Sequence, residues 1–151
     1  MLRRSEMGLS DGLLNPNKKA MVVEDCCNMI ETQVASKSGI SGIALKAAFG
    51  ALKGVKPGYI SYAVEQLLPE CLTALDPIWD EGVEKGDPVG YVIANSSYTA
   101  DALLGVTDAR LKTVRRQIVR GTYEKLRGSA KKHVEEAVPD LVNIIDKHSK
   151  G

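Results

Sequence analysis

The stretch Asp87-Pro-Val-Gly-Tyr-Val-Ile-Ala-Asn-Ser-Ser-Tyr-Thr-Ala-Asp-Ala-Leu-Leu104 decides the fold class. Asp87 offers a side-chain oxygen just before Pro88, and proline suits the first helical position because its missing N–H would have no intrahelical acceptor there. Behind this start, Val89, Val92, Ile93, Ser96, Ala100, Leu103 and Leu104 recur at the i, i+3, i+4, i+7 spacing of one helical face. The same acceptor-proline start occurs at Asn15-Pro16 and Asp76-Pro77. Lys56-Pro57-Gly58 and Thr107-Asp108 mark two more. Helices are predicted near 16–36, 40–53, 58–75, 77–85, 88–104, 108–128 and 130–148. No strand-like alternation of comparable length competes with them, so the expected class is an all-α, multi-helix bundle.

Composition agrees. The chain has 151 residues, 44% apolar and 26% charged, which suits one globular domain that buries roughly 70% of its unfolded surface. Residues 15–151 are expected to form that domain, with 1–14 a flexible tail. One Phe and one Trp leave the core to Leu, Ile, Val, Ala and Met, a mixture suited to helix packing. Three cysteines, Cys26, Cys27 and Cys71, form no disulfide framework and fit a reducing cytoplasm. The Arg pair near the N-terminus has no apolar run behind it and does not read as a secretory signal.

Gly39 to Val55 reads differently. Its Ile, Leu, Ala and Phe side chains surround the helix, with only Lys46 and Lys53 on a narrow stripe, which predicts a helix at the centre of the bundle. Gly50-x-x-x-Gly54 is a spacing also used by packed membrane helices, but the run is shorter than a bilayer span and contains two lysines. Close helix approach over Ala47, Gly50, Ala51 and Gly54 is the simpler reading, and no transmembrane segment is expected.

Sliding the chain by seventy residues aligns Gly58, Val64, Glu65, Pro69 and Asp76 with Gly128, Val134, Glu135, Pro139 and Asp146, five identities in nineteen positions. Chance supplies about one at ordinary residue frequencies. Two related helical hairpin halves, 16–86 and 87–151, are expected, each with a proline late in its second helix. In this alignment Cys71 falls opposite Leu141, among Leu67, Leu68, Leu72 and Leu75, which marks it as a structural thiol rather than a reactive one. Cys26 and Cys27 flank the apolar face of Val22, Val23, Met29 and Ile30 and read the same way.

No motif carries catalysis. His133 and His148 are the only imidazoles, and no His-Glu-x-x-His, Cys-x-x-Cys or Glu-x-x-His pattern supplies metal ligands. No glycine-rich phosphate or dinucleotide loop occurs. No enzyme activity, cofactor or metal is therefore expected. Trp79 is expected to plug the core.

Charge is segregated. Residues 57–109 hold nine acids and one base, and residues 110–132 hold nine bases and one acid. On a helical wheel Lys112, Arg116, Arg120 and Arg127 fall within about 80°, with Tyr123 among them and Leu111, Val114 and Ile118 opposite. This amphipathic basic helix is the candidate binding surface. It suits phosphates, an anionic membrane surface or an acidic protein, or it is balanced by the acidic segment of the same or a neighbouring molecule.

Lys56-Pro-Gly-Tyr, Leu67-Leu-Pro-Glu, Val106-Thr-Asp-Ala-Arg, Tyr123-Glu-Lys-Leu-Arg and His133-Val-Glu-Glu-Ala-Val-Pro together resemble a family of small bacterial proteins of unknown function, across most of residues 20–148. The resemblance implies a bacterial cytoplasmic setting and brings no activity, ligand or site residue. The expected function is a non-catalytic interaction or scaffold protein that self-associates. The alternative is nucleic-acid or anionic-surface binding through residues 110–132.

Overall fold

The computed structural model describes residues 12–149, of which none forms a strand. Six helices lie wholly within them: α1 Pro16–Ser36, α2 Gly39–Lys53, α3 Tyr59–Glu84, α4 Pro88–Ala94, α5 Ser96–Leu111 and α6 Gln117–Ser149. The all-α bundle is as expected. Two start signals act as read: Asn15 Oδ1 accepts the N–H of Asn17 at 2.9 Å, and Asp87 Oδ1 accepts that of Gly90 at 3.0 Å. Leu13 is only 1% exposed within the core, so the segment anchors to the bundle before α1 begins. The rest of the expected tail, 1–11, lies outside the described residues.

Four features of the predicted helix map change. Asp76-Pro77 lies inside α3, because Leu68, Leu72, Leu75, Ile78, Trp79 and Gly82 form one unbroken buried stripe. A break at Pro77 would throw Trp79 out of phase with that stripe, so tertiary burial overrides the local cap signal. Gly128 is likewise absorbed into α6, whose buried stripe continues through Val138, Val142, Ile145 and His148. Thr107-Asp108 is interior to α5, and the break falls at 112–116 instead, while Asn95 interrupts the predicted 88–104 helix between α4 and α5. There Asn95 Nδ2 donates to the Tyr91 carbonyl at 2.8 Å, a local side-chain bond in a residue that has left helical geometry.

α1 and α5 each pack against both α3 and α6, whereas no α1–α5 or α3–α6 backbone contact forms, so the four long helices make a square with α3 and α6 on one diagonal. α2 covers α1, α3 and α6, and α4 covers α3, α5 and α6. The seventy-residue repeat has a physical counterpart on that diagonal. Leu68, Leu72, Leu75 and Ile78 are buried in the same register as Val138, Val142, Ile145 and His148, and the pattern of buried, half-buried and exposed positions is identical from 68–78 to 138–148.

α2 departs most from expectation. It is peripheral, not central: only Gly42 is buried, while Ile40 and Ile43 are 90% and 69% exposed. The square instead keeps a partly open apolar space. A cavity of about 330 Å³ runs between α1, α3, α5 and α6, walled by side chains such as Val22, Leu68, Leu72, Leu104, Val138 and Leu141.

α3 ends through two glycines. The Gly86 N–H donates to Val83 O and the Asp87 N–H to Gly82 O, both at 3.0 Å, with Gly86 at φ 85°, the left-handed conformation that closes such helix ends. A Cβ on Gly82 would lie 2.6 Å from Pro88 Cα, so glycine there lets α4 cross α3. In urea denaturation Gly86→Ala should lower the unfolding free energy by about 1–2 kcal/mol, and Gly82→Ala by more. An unperturbed Gly82→Ala protein would mean the crossing is not this close.

Candidate interaction surface

The five residues of the expected basic stripe do not share one helix. Lys112 caps the end of α5, Arg116 lies in the 112–116 connection, and Arg120, Tyr123 and Arg127 are on α6. Their partners divide them further. The Arg120 guanidinium turns inward and donates from Nη1 to the carbonyls of Leu111 at 2.9 Å and Val114 at 3.2 Å, closing the C-terminal end of α5. Tyr123 donates its hydroxyl to Asp108 at 2.6 Å and shares a 2.7 Å hydrogen bond with Thr107. Arg127 grips the same Asp108 with Nε and Nη2 at 2.9 and 3.0 Å, a forked charge-assisted pair.

The Arg127 guanidinium, followed by the Tyr123 hydroxyl, holds the Asp108 carboxyl below its ordinary value. Burial first, then the hydrogen bond to Asp108, pushes the Tyr123 phenol up. Thr107 and Asp108, read in the sequence as a helix start, are thus spent on joining α5 to α6.

Much of the charge segregation closes within one molecule. Lys131 meets Asp101 at 3.1 Å and Arg110 meets Glu70 at 3.8 Å, alongside the Arg127–Asp108 pair. Each couples the basic segment to the acidic one. Exposed in this segment are the short connection bearing Lys112, Arg115 and Arg116, followed by Ile118, and farther along α6 Lys125 and Lys132. Beside the connection a cavity of about 390 Å³ opens, with Tyr59, Tyr62, Arg110, Val114 and Tyr123 on its wall.

The outer face of α2 is the second exposed feature. At 100° per residue Ile40, Ile43, Ala44, Ala47 and Gly50 fall on one arc of about 120°, and all are exposed. Lys46 lies at its edge. Lys53 is drawn away to Glu31 at 3.0 Å and sits 4.8 Å from the Phe49 ring centre.

The thiols are set for packing. Burial pushes Cys26 up to about 12 and Cys71 to about 11, and raises Cys27 as well, so neutral pH leaves them protonated. Cys71 is half-buried rather than fully enclosed. Trp79 is buried, as read from the sequence. Among the described residues no three His, Cys, Asp or Glu side chains gather as a metal-ligand set. No helix there is long and apolar enough to cross a membrane.

One polar constellation had no sequence signal. His148, buried near the end of α6, meets Asp25 of α1 at 2.7 Å, and Lys147 reaches the same carboxylate oxygen at 3.1 Å. Lys18 donates to the His148 carbonyl at 2.7 Å. Residues more than 120 apart make this clasp, a separation invisible to local pattern.

The His148 hydrogen bond, then Lys147, lowers the Asp25 pKa below 3.8 despite burial. A depressed carboxylate contributes stability that is present above its unfolded pKa and lost as pH falls through the folded value. Asp25→Asn should therefore cost about 1–3 kcal/mol at pH 7, with the difference from wild type shrinking below pH 4 in denaturation curves. A difference that persists unchanged at low pH would assign the loss to packing. Arg120→Ala should cost more stability than Arg116→Ala, whose surface position predicts about 0.5 kcal/mol or less.

No curated protein and no solved structure matches the chain. A family pattern does, over residues 9–149. The chain belongs to that family, described as a family of unknown function, DUF6918.

Proposed function

We propose that this protein is a non-catalytic interaction protein that self-associates through the outer face of α2. The observation that carries this reading is the uncharged arc of Ile40, Ile43, Ala44, Ala47 and Gly50, turned away from the protein's own core. A second copy suits it better than a lipid surface. Only two of its side chains are large, whereas an interfacial helix presents a broad apolar face of Leu, Phe or Trp. Alanine and glycine instead let two helices approach to about 8 Å. A twofold axis through the arc would bring identical patches together without opposing charges.

Burying an isoleucine contributes roughly 1.5–3 kcal/mol, and four would be covered in the pair. Against an association cost of about 4–15 kcal/mol, that supports a dimer of modest affinity. The intramolecular pairing of Arg110, Arg127 and Lys131 argues against exchange of acidic and basic segments between copies as the driving force.

The alternative is binding of an anionic surface or single-stranded nucleic acid. It draws on Lys112, Arg115 and Arg116 in the exposed connection, with Tyr59 and Tyr62 on the adjoining cavity wall as stacking surfaces.

Light scattering and sedimentation over about 5–500 µM separate the readings. Wild type should dimerise with little weakening between about 0.1 and 1 M salt, where screening shortens from about 10 to 3 Å. Ile43→Glu should remain monomeric. A wild type that stays monomeric throughout defeats self-association. Binding to an oligonucleotide or anionic vesicle with a log–log salt slope near −3, abolished by Arg115→Glu with Arg116→Glu, would establish the alternative.

A further inference from the structure

Among the nitrogen- and oxygen-bearing side chains on the wall of the central cavity are Gln33, Lys37, Thr107 and His133. Three are satisfied. Lys37 Nζ donates to Glu136 at 2.6 Å and to Gln33 Oε1 at 3.0 Å, while Gln33 Nε2 donates to Asp140 at 2.6 Å. Thr107 bonds to the Leu104 carbonyl and to Tyr123.

His133 is the exception. Its side chain is only 10% exposed, and neither ring nitrogen has a hydrogen-bond partner. The charged group beside it, Glu136 Oε1, stands 3.9 Å from Nδ1 and is already engaged by Lys37. A buried imidazole is normally satisfied, and leaving one without a partner destabilises the fold.

Two independent features therefore coincide on α6: an apolar space that the protein's own side chains do not fill, and an unpartnered polar group on its wall. We propose that the central cavity binds a single-chain amphiphile, with the alkyl tail between α1, α3, α5 and α6 and a terminal oxygen head hydrogen-bonded to His133. The volume sets the size of the ligand. A dry protein cavity of about 150 Å³ accepts benzene, so about 330 Å³ accommodates on the order of a dozen carbons.

The rim sets the head group. Lys37 and Glu136 neutralise each other beside His133, so the site needs no net charge from its ligand. A hydroxyl both donates and accepts and so matches a ring nitrogen in either role, and a carboxyl accepts from a ring N–H. Cys26 and Cys71 complete the wall as neutral thiols, adding no competing charge. This inference does not depend on the α2 face and stands whether the protein is a monomer or a dimer.

Differential scanning fluorimetry and calorimetric titration of the full chain with dodecanol and with sodium dodecanoate test it. At a ligand concentration about a hundredfold above Kd, the melting temperature should rise by roughly 5–10 °C. Tighter binding of one probe identifies the head as alcohol or acid. His133→Leu should melt higher than wild type without ligand, because it removes an unsatisfied buried group, yet bind both probes at least about tenfold more weakly. A purely structural histidine would not give those opposite signs. Ala137→Met, which fills the cavity from α6, should abolish binding while the protein stays folded. Failure of both probes to stabilise wild type, or wild-type affinity in both variants, overturns the proposal.

Discussion

The bundle depends on the burial of one continuous stripe along each of the two diagonal helices, α3 and α6. Both must run unbroken past internal prolines, Pro69 and Pro77 in one and Pro139 in the other, so that their apolar positions stay in phase. Proline removes one backbone hydrogen bond from a helix interior and strains the preceding turn. The stripes Leu68–Leu72–Leu75–Ile78 and Val138–Val142–Ile145 outweigh that loss through area removed from water. With α3 and α6 fixed, α1 and α5 fill the remaining corners of the square, and α2 and α4 are added from outside.

Electrostatics then works inward rather than outward. A chain with one strongly acidic and one strongly basic segment would repel within each and attract between them, and the fold uses this by stitching α5 to α6. Asp108 is the centre of the stitch, receiving Tyr123 and Arg127 from two turns of α6. Exposed ion pairs of this kind contribute little each. Their larger effect is on specificity: they register α5 against α6 across a break that carries several cationic side chains.

The fold class was legible from periodicity and cap chemistry, and the self-alignment marks the matching burial pattern of α3 and α6. Where the reading failed, local signals were spent on tertiary partners. Thr107-Asp108 and Asp76-Pro77 have the chemistry of helix starts but lie mid-helix, because long-range burial of Trp79 and the Tyr123–Asp108 bond decided otherwise. The 112–116 connection breaks the basic stripe, so its residues share no single helical face. The apolar character of α2 was legible, but its direction was not: a uniformly apolar helix is equally consistent with burial by its own chain and with an uncovered face. The His148–Asp25 clasp and the unpartnered His133 had no local signature, since both depend on how α6 is rotated against α1.

The seam between α1 and α6 has a consequence for biosynthesis. Its bonds join Lys18, Asp25 and Gln33 to residues at or beyond Asp140, so they are among the most distant contacts in the chain. Because α6 is the shared neighbour of α1 and α5, a growing polypeptide that has produced everything through α5 still has both apolar faces uncovered. Closure waits for α6. Until then, the sides of α1 and α5 that α6 covers are open to water, a state prone to aggregation.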